Sequence, residues 1–185
     1  MSTADPTAYG WLHQDMAWFG AAACVTVAAG VTREQFVNAF GVDLASPEAR
    51  EASVAAPDDV DAPVLISFTE IAGYLVAVEV NGSTGSEADV LEATSMLGRS
   101  ASASWSAEDE VRFACAQGGD VLYDGQLVSD GTEGMSAELV TLAEQAADGP
   151  SYQAVAMAMV ETWTGARVKQ ADVERALTTG YVAES

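Results

Sequence analysis

Residues 74–80, Tyr-Leu-Val-Ala-Val-Glu-Val, are apolar on both alternating faces except at Glu79, and turn signals stand at either end: Ala72-Gly73 before, Asn81-Gly82 after. A short run with no solvent face reads as a strand covered on both sides, so the fold is built around an interior strand. Val64–Phe68 precedes it across the Ala72-Gly73 turn and reads as its hairpin partner. Further strands are expected at Ala23–Ala28 and at 111–115, where Val111, Phe113 and Cys115 alternate with Arg112 and Ala114. Gln117-Gly118-Gly119-Asp120 is a hairpin turn into Val121–Tyr123.

Helices fill the intervals. The first is expected at Thr7–Phe19. Thr32 and Gln35 form a capping box for a helix with Phe36, Ala39 and Phe40 on its apolar face, closed by Gly41. Ser46-Pro47 is a helix start. Ser86 and Asp89 read as a second capping box, followed by a face of Val90, Ala93, Thr94 and Leu97. Met135–Ala147 is expected to be helical. The strongest periodicity follows it: Tyr152, Val155, Ala156, Met159, Val160 and Trp163 recur at helical spacing until Gly165. Gln170–Leu177 is a short last helix before a tail at Gly180. The acidic stretch Pro57–Pro63 reads as an exposed loop and not a linker. The expectation is one domain over residues 1–185, α+β, with a mostly antiparallel sheet of about five strands, helices packed on it, and a helical C-terminal third.

The composition, 49% hydrophobic and 19% charged, excludes a disordered chain. The formal net charge of -21 argues against direct binding to nucleic acid or an anionic membrane, since both would be repelled. No apolar stretch reaches the roughly 18 residues of a spanning helix. No basic leader precedes an apolar core, so no secretory signal is expected. Two cysteines cannot build a disulfide framework, which points to a reducing cytoplasm.

Chemistry-bearing residues are sparse. His13 is the one histidine, and Asp15, two residues on, is badly placed to orient it in a helix. No nucleophile elbow of the Gly-x-Ser-x-Gly type is present. Cys24 and Cys115 stand in apolar strands without an adjacent base, as small hydrophobes do. Glu108-Asp109-Glu110 and Asp58-Asp59-Val60-Asp61 are dense in carboxylates but lack the ligand order of a calcium loop. Gly82-Ser83-Thr84-Gly85 lies between a strand and a helix, the topology of an anion cradle, yet has no lysine. No cofactor, metal or catalytic residue is expected. Trp11, Trp18 and Phe19 crowd the first helix and cannot all face one side, so an aromatic partner surface is conceivable there, with the Glu108, Asp109 and Glu110 carboxylates as its charged companion.

Cys24-Val25-Thr26-Val27, Gly30-Val31-Thr32-Arg33-Glu34, Leu75 through Gly82, Gly85-Ser86, Asp89-Val90-Leu91, Ser104-Trp105, Arg112-Phe113, Gly119-Asp120-Val121-Leu122 and Thr164-Gly165-Ala166-Arg167 together span most of the chain. In these segments it resembles a family of small acidic actinobacterial proteins known as a domain of unknown function. The resemblance implies an α+β domain from a high-GC actinobacterium or one of its phages. It supplies no activity, substrate or catalytic residue.

Residues 107–150 carry ten acids against Arg112 alone. This charge and the missing catalytic equipment favour a non-enzymatic protein-interaction module, immunity-like or regulatory, with a protein partner of basic character. The alternative is an acidic polyanion mimic that occupies the nucleic-acid site of another protein. A carboxylate-dependent enzyme ranks third, and salt adaptation would leave the acidity without a partner.

Overall fold

The computed structural model describes residues 3–42, 65–108, 110–146, 151–178 and 180–182. The Ser46-Pro47 helix start, the 57–63 acidic loop and Asp109 lie outside the described residues.

Six strands of seven residues each form the body of one antiparallel sheet: β1 (Ala23–Ala29), β2 (Leu65–Ile71), β3 (Tyr74–Val80), β4 (Arg99–Trp105), β5 (Val111–Gln117) and β6 (Asp120–Gln126). A three-residue β7 (Gly180–Val182) completes the order β6-β5-β4-β1-β3-β2-β7. The expected α+β class and antiparallel sheet are therefore present. The tail expected at Gly180 is instead an edge strand, pairing Gly180 with Ser67 and Val182 with Leu65. Three residues are too few for a periodicity to announce it.

β2 and β3 are the expected hairpin, with Ala72 and Gly73 both at positive φ in the turn. β4, β5 and β6 form a meander. β1 lies between these units, hydrogen-bonded to β3 on one side and β4 on the other. Its register sorts the two faces. Val25 stands opposite Val78 and Ala103, while Cys24 stands opposite Glu79 and Ser104, and Thr26 opposite Ala77 and Ser102. One face is thus apolar throughout, and the other is polar at one end.

The apolar face is covered by α1 (Trp11–Gln14), α2 (Ala17–Ala21), α5 (Ala137–Gln145), α6 (Tyr152–Thr164) and α7 (Gln170–Ala176). Helix α6 is buried almost all round from Gln153 to Val160, because it is sandwiched between the sheet and α5. Its Ala and Met content suits that position: small side chains admit neighbours and methionine fills gaps. Ser151 caps its start, and Gly165, at φ 88°, ends it where the sequence predicts.

The opposite face carries α3 (Arg33–Ala39) and α4 (Ala88–Ser95). The Thr32/Gln35 capping box is formed. Phe36, Phe40 and Phe68 pack edge to face, with ring centroids 5.3–6.0 Å apart, and anchor α3 over β2.

Three sequence expectations change here. The first helix is not continuous but a 3₁₀ turn (Pro6–Tyr9), then α1, then α2, broken at Met16 by non-helical φ -127° and ψ 47°. Across the break Leu12, Met16 and Phe19 all remain buried. The capping box of Ser86 and Asp89 is absent. Ser86 ends a 3₁₀ turn (Thr84–Ser86) with its hydroxyl inward, and Glu87 holds the N-cap position of α4 without a side-chain cap bond. Helix α4 is also rotated from the expected face: Val90, Leu91, Thr94 and Ser95 are buried, while Ala93 and Leu97 are exposed.

Candidate functional site

The polar end of the sheet is a sealed cluster. Cys24 and Thr26 of β1, Glu79 of β3, and Ser102 and Ser104 of β4 point to the same side, where the Thr84–Ser86 turn closes over them. Glu79 is wholly buried, and its two carboxylate oxygens accept the N–H groups of Thr84 at 2.9 Å and Gly85 at 2.7 Å. Desolvation outweighs these two bonds and holds the Glu79 carboxyl above the ordinary carboxylate range. Around it the Ser86 hydroxyl lies 2.9 Å from that of Ser102 and 3.0 Å from that of Ser104, and Thr26 donates to Ser102 at 3.3 Å. The Cys24 sulfur lies 3.2 Å from the Ser102 hydroxyl. Burial, reinforced by the Glu79 carboxyl, pushes the Cys24 thiol up to about 12, so it is a poor nucleophile.

This arrangement explains the cradle-like Gly82–Gly85 sequence. The amides that would receive an external anion are occupied by the chain's own carboxylate. No buried side-chain N or O among the described residues is left without a hydrogen-bond partner, so the cluster is internally complete. Its chemical role is to hold the entry to α4.

The other end of α4 faces solvent. Met96 is 61% exposed and Leu97 70% exposed, and with Ala93 they form one wall of a groove of about 380 Å³. Val31, Gln35, Asn38 and Ala39 form the other wall. The exposed side chains stand on a fixed base. The Ser95 carbonyl accepts the N–H of Gly98 at 2.9 Å and of Gly118 at 3.0 Å, and the Ser95 hydroxyl accepts that of Gly119 at 3.2 Å. The β5–β6 turn thereby supplies the donors that the end of a helix lacks. Beneath Leu97, the chain at Gly98 lies against β1. A Cβ at Gly98 would fall 2.1 Å from the Ala29 carbonyl oxygen.

The residues chosen from sequence sit elsewhere. Trp11 is half-buried against the core, its ring stacked on Phe19 at 6.4 Å. Phe19 meets Trp105 edge to face at 5.7 Å, and the Trp105 indole N–H donates to the Phe19 carbonyl at 3.0 Å. Trp18 belongs to α2. Glu108 and Glu110 are exposed in the β4–β5 connection that follows Trp105, so an aromatic run links Trp11 to that connection. The rings in this run act as packing. His13 is exposed, and its Nε2 lies 2.5 Å from the Ser151 hydroxyl, which also caps α6 by accepting the Ala154 N–H at 3.1 Å. Asp15 caps the end of α1 and makes no bond to the imidazole.

The groove was missed in the sequence because Leu97 there counts as part of the buried face of α4. Among the described residues no three His, Cys, Asp or Glu side chains gather to hold a metal ion, and no helix is long and apolar enough to cross a membrane. No protein-family model, curated protein or solved structure matches the chain.

Proposed function

We propose that the chain is a non-enzymatic protein-interaction module that docks a partner on the groove between α3 and α4. The observation that carries this reading is the exposure of Met96 and Leu97 side by side on a rigid base. Large apolar groups presented from a fixed backbone suit an interface anchor, since little backbone freedom remains to be lost on binding. Methionine in particular adapts to partner shape. The reading places the protein in the cytoplasm, where Cys24 and Cys115 stay as buried free thiols.

The test is affinity capture from lysate of the source organism with the wild-type protein and with Leu97→Asp, washed at low and then high salt. The expected result is one stoichiometric protein that survives high salt on the wild type and is lost from the variant. Equal retention by Leu97→Asp would remove the groove from the reading. A set of DNA-binding proteins released by salt would replace the reading with a polyanion mimic, because exposed charge attraction is screened.

A further inference from the structure

We infer that the groove takes a short amphipathic helix whose apolar stripe is flanked by Lys or Arg. This inference rests on the docking role proposed above and adds the chemistry of the occupant. Three observations select it. First, the walls are short, one on α3 with Val31 ahead of it and one on α4 with Met96 and Leu97 after it, so the groove accommodates only a few anchor side chains, the scale of a helix laid in a groove.

Second, the rim is acidic. Asp89 and Glu92 are exposed, and they sit one turn before Ala93 and Met96 on the same helix, so carboxylates border the apolar wall along its length. Glu34 stands one turn before Asn38 on the facing helix. The segments 31–40 and 87–97 hold four acids against Arg33. Third, the net charge of -21 disfavours the other occupants: a second copy would bring the same acids together, and nucleic acid or an anionic lipid surface would be repelled. A cationic rim around an apolar stripe satisfies both the Ala93, Met96 and Leu97 wall and its acidic border.

The experiment uses the full chain and a synthetic leucine/lysine peptide patterned as an amphipathic helix, read by the Met96 methyl resonance and by calorimetry. Controls are a scrambled peptide of the same composition and a leucine/glutamate peptide with the same stripe. The expected result is saturable binding of the patterned leucine/lysine peptide with a shift of the Met96 methyl. Affinity should fall about tenfold in Leu97→Ser and several-fold in Asp89→Asn/Glu92→Gln. Both variants alter exposed side chains and are expected to leave the fold intact, which circular dichroism checks.

Equal binding of the scrambled peptide, or unchanged affinity in Leu97→Ser, would overturn the inference by showing bulk charge attraction. Equal binding of the leucine/glutamate peptide would overturn the acidic-rim argument. Self-association in sedimentation that Leu97→Ser abolishes would make a second copy the occupant. Absence of peptide binding together with a captured partner lost from Leu97→Asp would leave the docking role standing and overturn the basic helix alone. Absence of both would overturn both.

Discussion

The Glu79 carboxylate meets the Gly85 N–H at 2.7 Å, and the same glycine lies against Thr26 so closely that a Cβ there would fall 1.9 Å from the Thr26 hydroxyl oxygen. A buried acid, a glycine and a β1 hydroxyl thus share one contact, and the turn leading into α4 is shaped by it.

Gly85→Ala is therefore expected to destabilise the protein by about 1–3 kcal/mol, the range for overpacking a filled interior. Removing the Thr26 hydroxyl should recover part of the loss, because that oxygen is the nearest obstacle. Urea unfolding of Gly85→Ala, Thr26→Ala and the double variant measures the coupling. Additive losses would mean that the turn yields elsewhere.

Glu79→Gln gives a test whose sign depends on pH. The Glu79 carboxyl is held above its ordinary value, so the folded protein binds this proton more tightly than the unfolded chain. Its contribution to stability is fully present below the unfolded value of about 4.5 and is lost as pH rises through the folded value. Glutamine keeps an acceptor for one amide and presents its NH₂ to the other, leaving a buried donor unsatisfied at a cost of about 1–3 kcal/mol. The variant carries no desolvated charge, however. Its deficit should be largest at acidic pH and shrink as pH rises, measured by denaturant unfolding across the range. A deficit that grows with pH would mean that the two amide bonds outweigh desolvation.

Both thiols should resist alkylation. Cys24 and Cys115 are buried and each is pushed up to about 12, against about 8.5 for a free thiol. Iodoacetamide at mildly alkaline pH is expected to leave the native protein unmodified and to label both cysteines after denaturation, read by intact mass. Rapid labelling of Cys24 in the native protein would mean that the Thr84–Ser86 turn opens readily.

Ser151→Ala should cost about 1 kcal/mol through the loss of the α6 cap. His13→Ala should cost much less, since an exposed imidazole bonded to the same hydroxyl adds little beyond the cap. Thermal unfolding of the two variants separates the roles, and equal losses would show the histidine bond to be part of the capping.

What was legible in the sequence depended on the length of the pattern. Tyr74–Val80 and the Tyr152-to-Trp163 stripe are long enough for burial and periodicity to agree, and both elements form as expected. The α6 stripe nonetheless understates its burial, because Ala and Met between the stripe positions fit equally well inside. Ser86 misled for a local reason. A hydroxyl ahead of a helix looks the same whether it caps the helix or turns toward Ser102 and Ser104. One signal for the cluster was present: Glu79 interrupts an otherwise apolar strand and precedes a Gly-Ser-Thr-Gly turn. The groove had no comparable signal. Its exposure follows from the rotation of α4, which tertiary contacts at Gly98, Gly118 and Gly119 determine.

The position of β1 also governs how the chain can assemble during synthesis. It leaves the ribosome before either neighbour exists, and its hydrogen-bonding partners are Leu75–Val80 and Arg99–Trp105. The β2–β3 hairpin and the β4–β6 meander can each zip up from a local turn, whereas joining them needs β1 to pair with residues far from it in sequence. β1 is therefore the seam of the sheet. A chain that lost it would retain two separate ribbons, each with a newly exposed edge open to pairing with another molecule.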